Sequence, residues 1–256
     1  MSEVRHQRDG HILVITIDNP SKKNSFTPGM MAQLSAALTE LNDDPGLRVG
    51  VLAAAGPDFT AGLDMPQFFG PGATPIPRPP GAIDPFGLEN RCAKPLVTAV
   101  QGICFTVGIE MALAGDIVIA ADNTRFCQME ARRGIAPLGG AHFRYIARAG
   151  WGNGLYHLLL CDEFGAAEAW RIGLVQEVVP AGEQLARAMA VAHAIAANAP
   201  LGIQATKAAA LRYVAEGETA AIAAIPDFRD RVLASADAAE GIMSFIERRA
   251  AVFTGR

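Results

Sequence analysis

Cysteine, aromatic residues and charge are all sparse in this 256-residue chain, which holds four cysteines, 7% aromatics and 19% Asp, Glu, Lys and Arg. The cysteines, at 92, 104, 127 and 161, form no CxxC, and neither they nor the five histidines show a zinc-ligand spacing, so no metal is expected. Reduced, partly buried thiols are expected instead. No apolar run approaches the roughly 18–20 residues that cross a bilayer, and even Ile117–Ala121 is stopped by an acid at each end. The opening Met-Ser-Glu-Val-Arg-His carries no apolar leader core, which implies a cytoplasmic address. Lys and Arg number 22 against 26 acids, a net charge of −4. Nucleic-acid and membrane-surface binding need a concentrated basic footprint, so neither is expected, and an anionic ligand would have to be met by local cations.

What is present is apolar residues, half of the chain, in an amount suited to one large domain that can also hide surface between subunits. Residues 11–17, His-Ile-Leu-Val-Ile-Thr-Ile, read as a β-branched strand stopped at Asp18-Asn19-Pro20. Thr27 offers an N-cap with Pro28 behind it, and Met31, Leu34, Leu38 and Leu41 recur at helical spacing before a second strand over 48–54. Strand, helix, strand predicts a right-handed parallel crossover, with the following loop at the carboxyl edge of a sheet where ligands bind. Seven prolines between 66 and 85 predict a long irregular loop, either a lid or a disordered insertion. A strand over 96–100, a helix over 107–114 and a strand over 116–121 restore the alternation. Beyond Gly139 the pattern is helical, over 141–149, 155–161, 166–171 and 183–198 and on to 250, with one apolar interruption at 174–179. Periodicity does not separate packing of this tail on the sheet from packing on a neighbouring subunit.

Two acids lie where an acid is locally awkward. Glu110 stands early in an apolar helix, four residues after Thr106, so a capping box does not account for it, although attraction to the helix N-terminus could. Glu130 precedes a Gly-rich turn, Pro137-Leu-Gly-Gly140, and pairing with Arg132 or Arg133 is the plain alternative to a chemical role. Neither acid alone identifies an enzyme.

Their setting adds more. Phe59-Thr-Ala-Gly-Leu-Asp-Met65 and Gln101-Gly-Ile-Cys-Phe-Thr-Val-Gly-Ile-Glu110, followed by Gln128-Met-Glu130, resemble the signatures of the crotonase superfamily, the enoyl-CoA hydratase/isomerase family. The similarity runs from Asn19-Pro20 into Phe245-Ile-Glu-Arg-Arg249. It implies an α/β fold, a spiral of βαβ units over 1–195, with a C-terminal helical region over 196–256 used for trimerisation, in homotrimers or homohexamers. It implies an acyl-CoA thioester as substrate and no separate cofactor. Backbone N–H groups of Ala61 and Val107 would form the oxyanion hole, suited to the task as fixed dipoles. Glu110 would activate water and Glu130 would exchange the proton alpha to the thioester. Leu63, Asp64 and Met65 would wrap the adenine end of CoA. Lys22 and Lys23 are either phosphate neighbours or solvated loop residues, and Arg248, Arg249 and Phe253 match a region through which another subunit often completes the CoA site.

The sequence also departs from that pattern. Thr106, Val107 and Leu138 stand where glycines are usual, and Met129 where many hydratases have proline. Cys104 and His142 are read as packing residues, and Phe68, Phe69 and Phe105 either line an acyl tail or cover the core. The expected activity is hydration of a trans-2-enoyl-CoA, with double-bond isomerisation or a non-catalytic acyl-CoA-binding scaffold as alternatives.

Overall fold

The computed structural model describes residues 3–73 and 76–256; positions 1, 2, 74 and 75 lie outside it, and with them the first two residues and the middle of the proline-rich segment. In chain order the first half contains β1 (Glu3–Asp9), β2 (Ile12–Asp18), α1 (Pro28–Asp43), β3 (Val49–Ala54), α2 (Met65–Phe69), β4 (Leu96–Val100), β5 (Ile103–Phe105), α3 (Val107–Ala114), β6 (Ile117–Ala121) and β7 (Arg125–Cys127). The second half contains α4 (Ala141–Leu160), β8 (Glu163–Gly165), α5 (Ala166–Arg171), β9 (Glu177–Val179), α6 (Gln184–Ala196), α7 (Pro200–Glu216), α8 (Glu218–Ala223), α9 (Ile225–Leu233) and α10 (Ala236–Glu247).

The larger sheet has the order β1-β2-β3-β4-β6-β9 and is parallel except for the β1–β2 pair. Its β2 strand is apolar at nearly every position because both faces are covered. Leu13, Ile15 and Ile17 join the larger core with Phe26, Leu34, Leu38 and Leu41, while Ile12 and Val14 join a second core against Ala188, Ala192 and Ala196. Alanines at that four-residue spacing give α6 a flat face that sits close to the sheet. Helix α1 starts where the sequence predicts, with Thr27 Oγ1 accepting from the Met30 N–H at 3.2 Å and Pro28 at its first position.

After each of β2, β3, β4 and β6 the chain adds a short extended segment, and these segments pair with one another in turn. Phe26 bridges Leu63, Thr60 bridges Cys104, and β5 lies parallel to β7, whose other edge takes β8. The result is a spiral that stacks the loop after β3 on the β5–α3 turn, and the site grows on that stack.

Several expectations need correction. Strand β1 is mostly exposed and polar, so no alternation marked it. Strands β5, β7 and β8 have three residues each, too few for a period. The helices expected over 141–149 and 155–161 are one run, α4, broken at Gly150 with φ 75° and ψ 169°. The proline-rich segment begins as α2 and is fastened at its far end, where Ser35 Oγ donates to the Ile83 carbonyl at 2.6 Å and the Ile83 N–H donates to Thr39 Oγ1 at 2.9 Å. That end is not a disordered insertion. The helical tail does pack on its own core: Lys207 Nζ reaches Asp116 Oδ2 at 2.6 Å, and Arg48 donates to the carbonyls of Ala196 and Phe253. It nevertheless leaves Val214, Leu233, Phe245 and Ile246 exposed.

Asn24 fastens the loop layer to the sheet. It is fully buried at φ 53°; its side-chain amide donates to the carbonyls of Ala55 (2.8 Å) and Asp58 (2.7 Å) and its Oδ1 accepts from the Asn19 N–H (2.6 Å). Removing it leaves buried partners unpaired, at roughly 1–3 kcal/mol each. Asn24→Ala should therefore lower the unfolding free energy by about 3 kcal/mol in urea denaturation.

Candidate active site

The loop layer encloses a cleft of about 480 Å³, walled by apolar side chains such as Met65, Phe69, Phe86 and Ile135 and reached by Glu110 and Glu130. Its backbone donors follow from how the two stacked loops are hydrogen bonded. In the loop after β3, the Ala61 N–H donates to the Lys23 carbonyl (2.9 Å), the Gly62 N–H to Thr60 Oγ1 (3.1 Å) and the Asp64 N–H to the Phe26 carbonyl (2.8 Å). Ala61 is therefore not a free donor, contrary to the sequence expectation. Between Phe59 and Asp64 the amide left without a partner among the described residues is that of Leu63. Gly62 permits the approach of the two loops: it holds φ +114°, and a Cβ there would lie 2.6 Å from Thr106 Oγ1.

In the second loop, Thr106 has φ 48° and ψ −114°, a conformation that favours glycine and costs a side-chain-bearing residue on the order of 1–3 kcal/mol. It is held by its N–H donating to the Cys127 carbonyl (3.0 Å) and by its carbonyl accepting from the Ile109 and Glu110 amides. Val107 follows as the first residue of α3, where the amide has no intrahelical acceptor and the helix dipole is positive. Leu63 and Val107 both line the cleft.

Glu110 is 1% exposed. It caps not its own helix but the start of α4, with Oε1 accepting from the Gly139 N–H (2.8 Å) and the Ala141 N–H (3.1 Å). Gly139 makes this possible, since a Cβ there would lie 2.5 Å from Glu110 Oε2. Burial raises the affinity of this carboxylate for a proton, while the two amides, Arg144 and His142 oppose the rise.

Glu130 opens a four-residue 3-10 helix, Glu130–Arg133, and is 9% exposed. Its Oε1 accepts from Gln128 Nε2 at 2.8 Å, and its Oε2 is buried without a partner among the described residues. Burial, with the Glu110 charge adding to it, pushes its pKa up to about 7. Arg132 instead donates to the Leu160 carbonyl at 3.4 Å, and no ion pair joins either arginine to Glu130. The simple surface-pair explanation of this acid thus fails.

Of the other residues singled out in the sequence, Leu63, Met65, Phe69 and Leu138 line the cleft, the last 73% exposed. Asp64 and Lys22 line a separate cleft of about 630 Å³ with Asp18 and Gln67. Lys23 lines neither, and what it supplies is the carbonyl that engages Ala61. Phe68 faces a smaller cavity beside α1, and Phe105 lies under the Arg125 guanidinium. Cys104 is fully buried and its thiol is pushed far up by desolvation, which removes it as a nucleophile. His142 packs edge-on against Phe143. Arg249 is engaged with Glu240 and Glu247, and the Phe253 carbonyl with Arg48. Among the described residues, no cluster of three His, Cys, Asp or Glu side chains could hold a metal.

Sequence reasoning missed the Leu63 amide, the anchoring of Glu110 on Gly139 and Ala141, and the bond from Gln128 to Glu130. No local signal marked the first, since which amide of the loop stays unpaired depends on the distant segments that engage its neighbours.

Residues 7–256 match the family model described as enoyl-CoA hydratase/isomerase. The chain is 32% identical to the enoyl-CoA hydratase EchA19 of Mycobacterium tuberculosis, over 98% of this chain and 96% of that protein. It is 34% identical to carnitinyl-CoA dehydratase of Escherichia coli K12 over the whole of both chains. Its fold superposes on the crystal structure of a probable enoyl-CoA hydratase/isomerase from Mycobacterium abscessus with a TM-score of 0.95 and 44% identity, covering 99% of this chain and 98% of that one.

Burying Glu130 has a consequence for stability. A carboxyl whose proton affinity is raised on folding binds more protons in the native than in the unfolded state between about pH 4.5 and 7, so stability falls as pH rises through that window. Glu130→Gln removes the charge but keeps the shape. It should raise Tm at pH 8 and change it little at pH 4, as scanning calorimetry at the two pH values would record.

Proposed function

The chain belongs to the enoyl-CoA hydratase/isomerase family, the crotonase superfamily, and from that premise we propose that it is a hydratase-like enzyme adding water to a trans-2-enoyl-CoA. The observation that carries the reading is one cleft holding two unengaged amides and two buried carboxylates in different environments.

The thioester carbonyl oxygen would sit between the Leu63 and Val107 amides, which need no reorganisation as it becomes an enolate oxygen; one such donor is worth on the order of 100- to 1000-fold in rate. The Leu63 amide replaces that of Ala61 in this assignment. Glu110, oriented through Oε1, would take a proton from water with its other oxygen as the water oxygen bonds to the beta carbon. Glu130, carrying a proton, would donate it to the alpha carbon as the enolate collapses. The proton taken by Glu110 then returns to Glu130, closing the cycle with a net gain of one water. In this assignment the resting site carries one proton, on Glu130, with Glu110 ionised. No cofactor enters this reaction.

The CoA portion would leave the cleft along Leu63, Asp64 and Met65, with Lys22 and Lys23 near its phosphates. The exposed apolar side chains of α7–α10 support 196–256 as an oligomerisation region, and we assign a homotrimer or a pair of trimers. A cytoplasmic address fits the absence, among the described residues, of a helix long and apolar enough to cross a membrane.

Glu110→Gln and Glu130→Gln should each lower kcat by about 100- to 10,000-fold while still binding a saturated acyl-CoA. Wild-type kcat/KM for hydration should fall above about pH 7, because Glu130 must hold its proton. Incorporation of oxygen from labelled water separates hydration from isomerisation, which exchanges only hydrogen. Light scattering should give three or six chain masses.

A further inference from the structure

Most arginines of the chain are engaged with a carboxylate or a carbonyl, as Arg78 is with Asp84 and Arg144 with the Gly139 and Phe86 carbonyls. Arg133 has no hydrogen-bond or ion-pair partner among the described residues, and it lines the cleft that holds Glu110 and Glu130. It is the only cation among the residues lining that cleft, whose remaining wall is predominantly apolar.

Its position relative to the chemistry is fixed by the 3-10 helix. Side chains three residues apart eclipse in such a helix, so Arg133 rises from the same face as Glu130, about 6 Å further along. The guanidinium does not turn back onto the acid: no ion pair joins them, and Arg133 is not among the charges acting on Glu130. Leu63 and Met65, assigned above to the CoA side, come from the segment after β3, whereas Arg133, Ile135 and Leu138 come from the separate segment that follows Glu130, and both segments line the one cleft.

We propose that Arg133 is a specificity-determining residue that selects short acyl chains ending in a carboxylate, such as five-carbon dicarboxylic thioesters. The apolar wall takes the methylenes, and the guanidinium takes the terminal carboxylate at the open end of the cleft. An anion there meets a charge-assisted pair in a protein that is otherwise acidic, whereas a neutral chain of the same length leaves the guanidinium to water. The assignment rests on the proposed acyl-CoA site, but its test does not require turnover.

Calorimetric titration of the full chain with glutaryl-CoA, valeryl-CoA and free CoA reads it directly. Wild type should bind glutaryl-CoA about tenfold more tightly than valeryl-CoA, as expected for a hydrogen bond to a charged group near solvent. In Arg133→Met that ratio should collapse toward one, and Arg133→Lys should restore part of it. Absence of a preference in wild type would overturn the proposal. So would a parallel loss for both thioesters and free CoA in Arg133→Met, since the guanidinium would then serve a CoA phosphate. If the preference is present but no enoyl-CoA is hydrated, the catalytic reading fails and the binding assignment stands.

Discussion

The site depends on which backbone amides the fold leaves unengaged. In a spiral whose loops stack as extended segments, nearly every peptide group finds a partner one turn above or below, because a buried unpaired amide is costly. Leu63 and Val107 escape for separate reasons. The parallel bridge to Phe26 uses the groups on either side of Leu63, the Gly62 carbonyl and the Asp64 N–H, and leaves Leu63 itself out of the ladder. Val107 begins a helix and has no acceptor four residues back. Two donors that would be liabilities in a sealed core are tolerated because a cleft opens in front of them, and they are the donors of the proposed oxyanion hole.

The rest of the candidate site is arranged around α3. Its N-terminus offers the Val107 amide and its first turn carries Glu110, while its C-terminal carbonyls are met by cations: Arg91 donates to Ala114, and Arg148 to Leu113 and Gly115. Guanidinium groups at that end complement the helix dipole and keep the wholly buried helix from ending in unpaired oxygens. Glu110 in turn ties α3 to α4 by accepting from the amides that open α4. The bonds that orient Glu110 in the cleft are thus also bonds of core assembly, which is why Gly139 has no room for a side chain.

The two acids show how environment sets identical groups apart. Glu110 has two amide donors and nearby positive charge to offset its desolvation, whereas Glu130 has its own backbone N–H and the Gln128 amide, with the Glu110 charge acting against it. Glu130 therefore holds its proton up to about pH 7, at a cost to stability that a glutamine would avoid. Strain at Thr106 is a further local cost, tolerated because the neighbouring hydrogen bonds over-determine the turn.

Much of this was legible in the chain. The cap at Thr27, the apolar spacing of α1, the bounds of α3 and the strands β3, β4 and β6 follow from local chemistry, since each element carries its period and its stop signal within a few residues. The family signatures pointed to Glu110, Glu130 and Val107 as candidates. Strands β5, β7 and β8 were not legible, because three residues paired across long sequence separations carry no period. The difference between Ala61 and Leu63 was equally hidden. Both have an ordinary peptide N–H, and only the approach of Lys23 to one and Phe26 to the other decides which donor remains free. Composition, periodicity and turn residues determine what a segment can form by itself; which polar groups are left unpaired is a property of contacts between distant segments, and it exists only once the chain has folded.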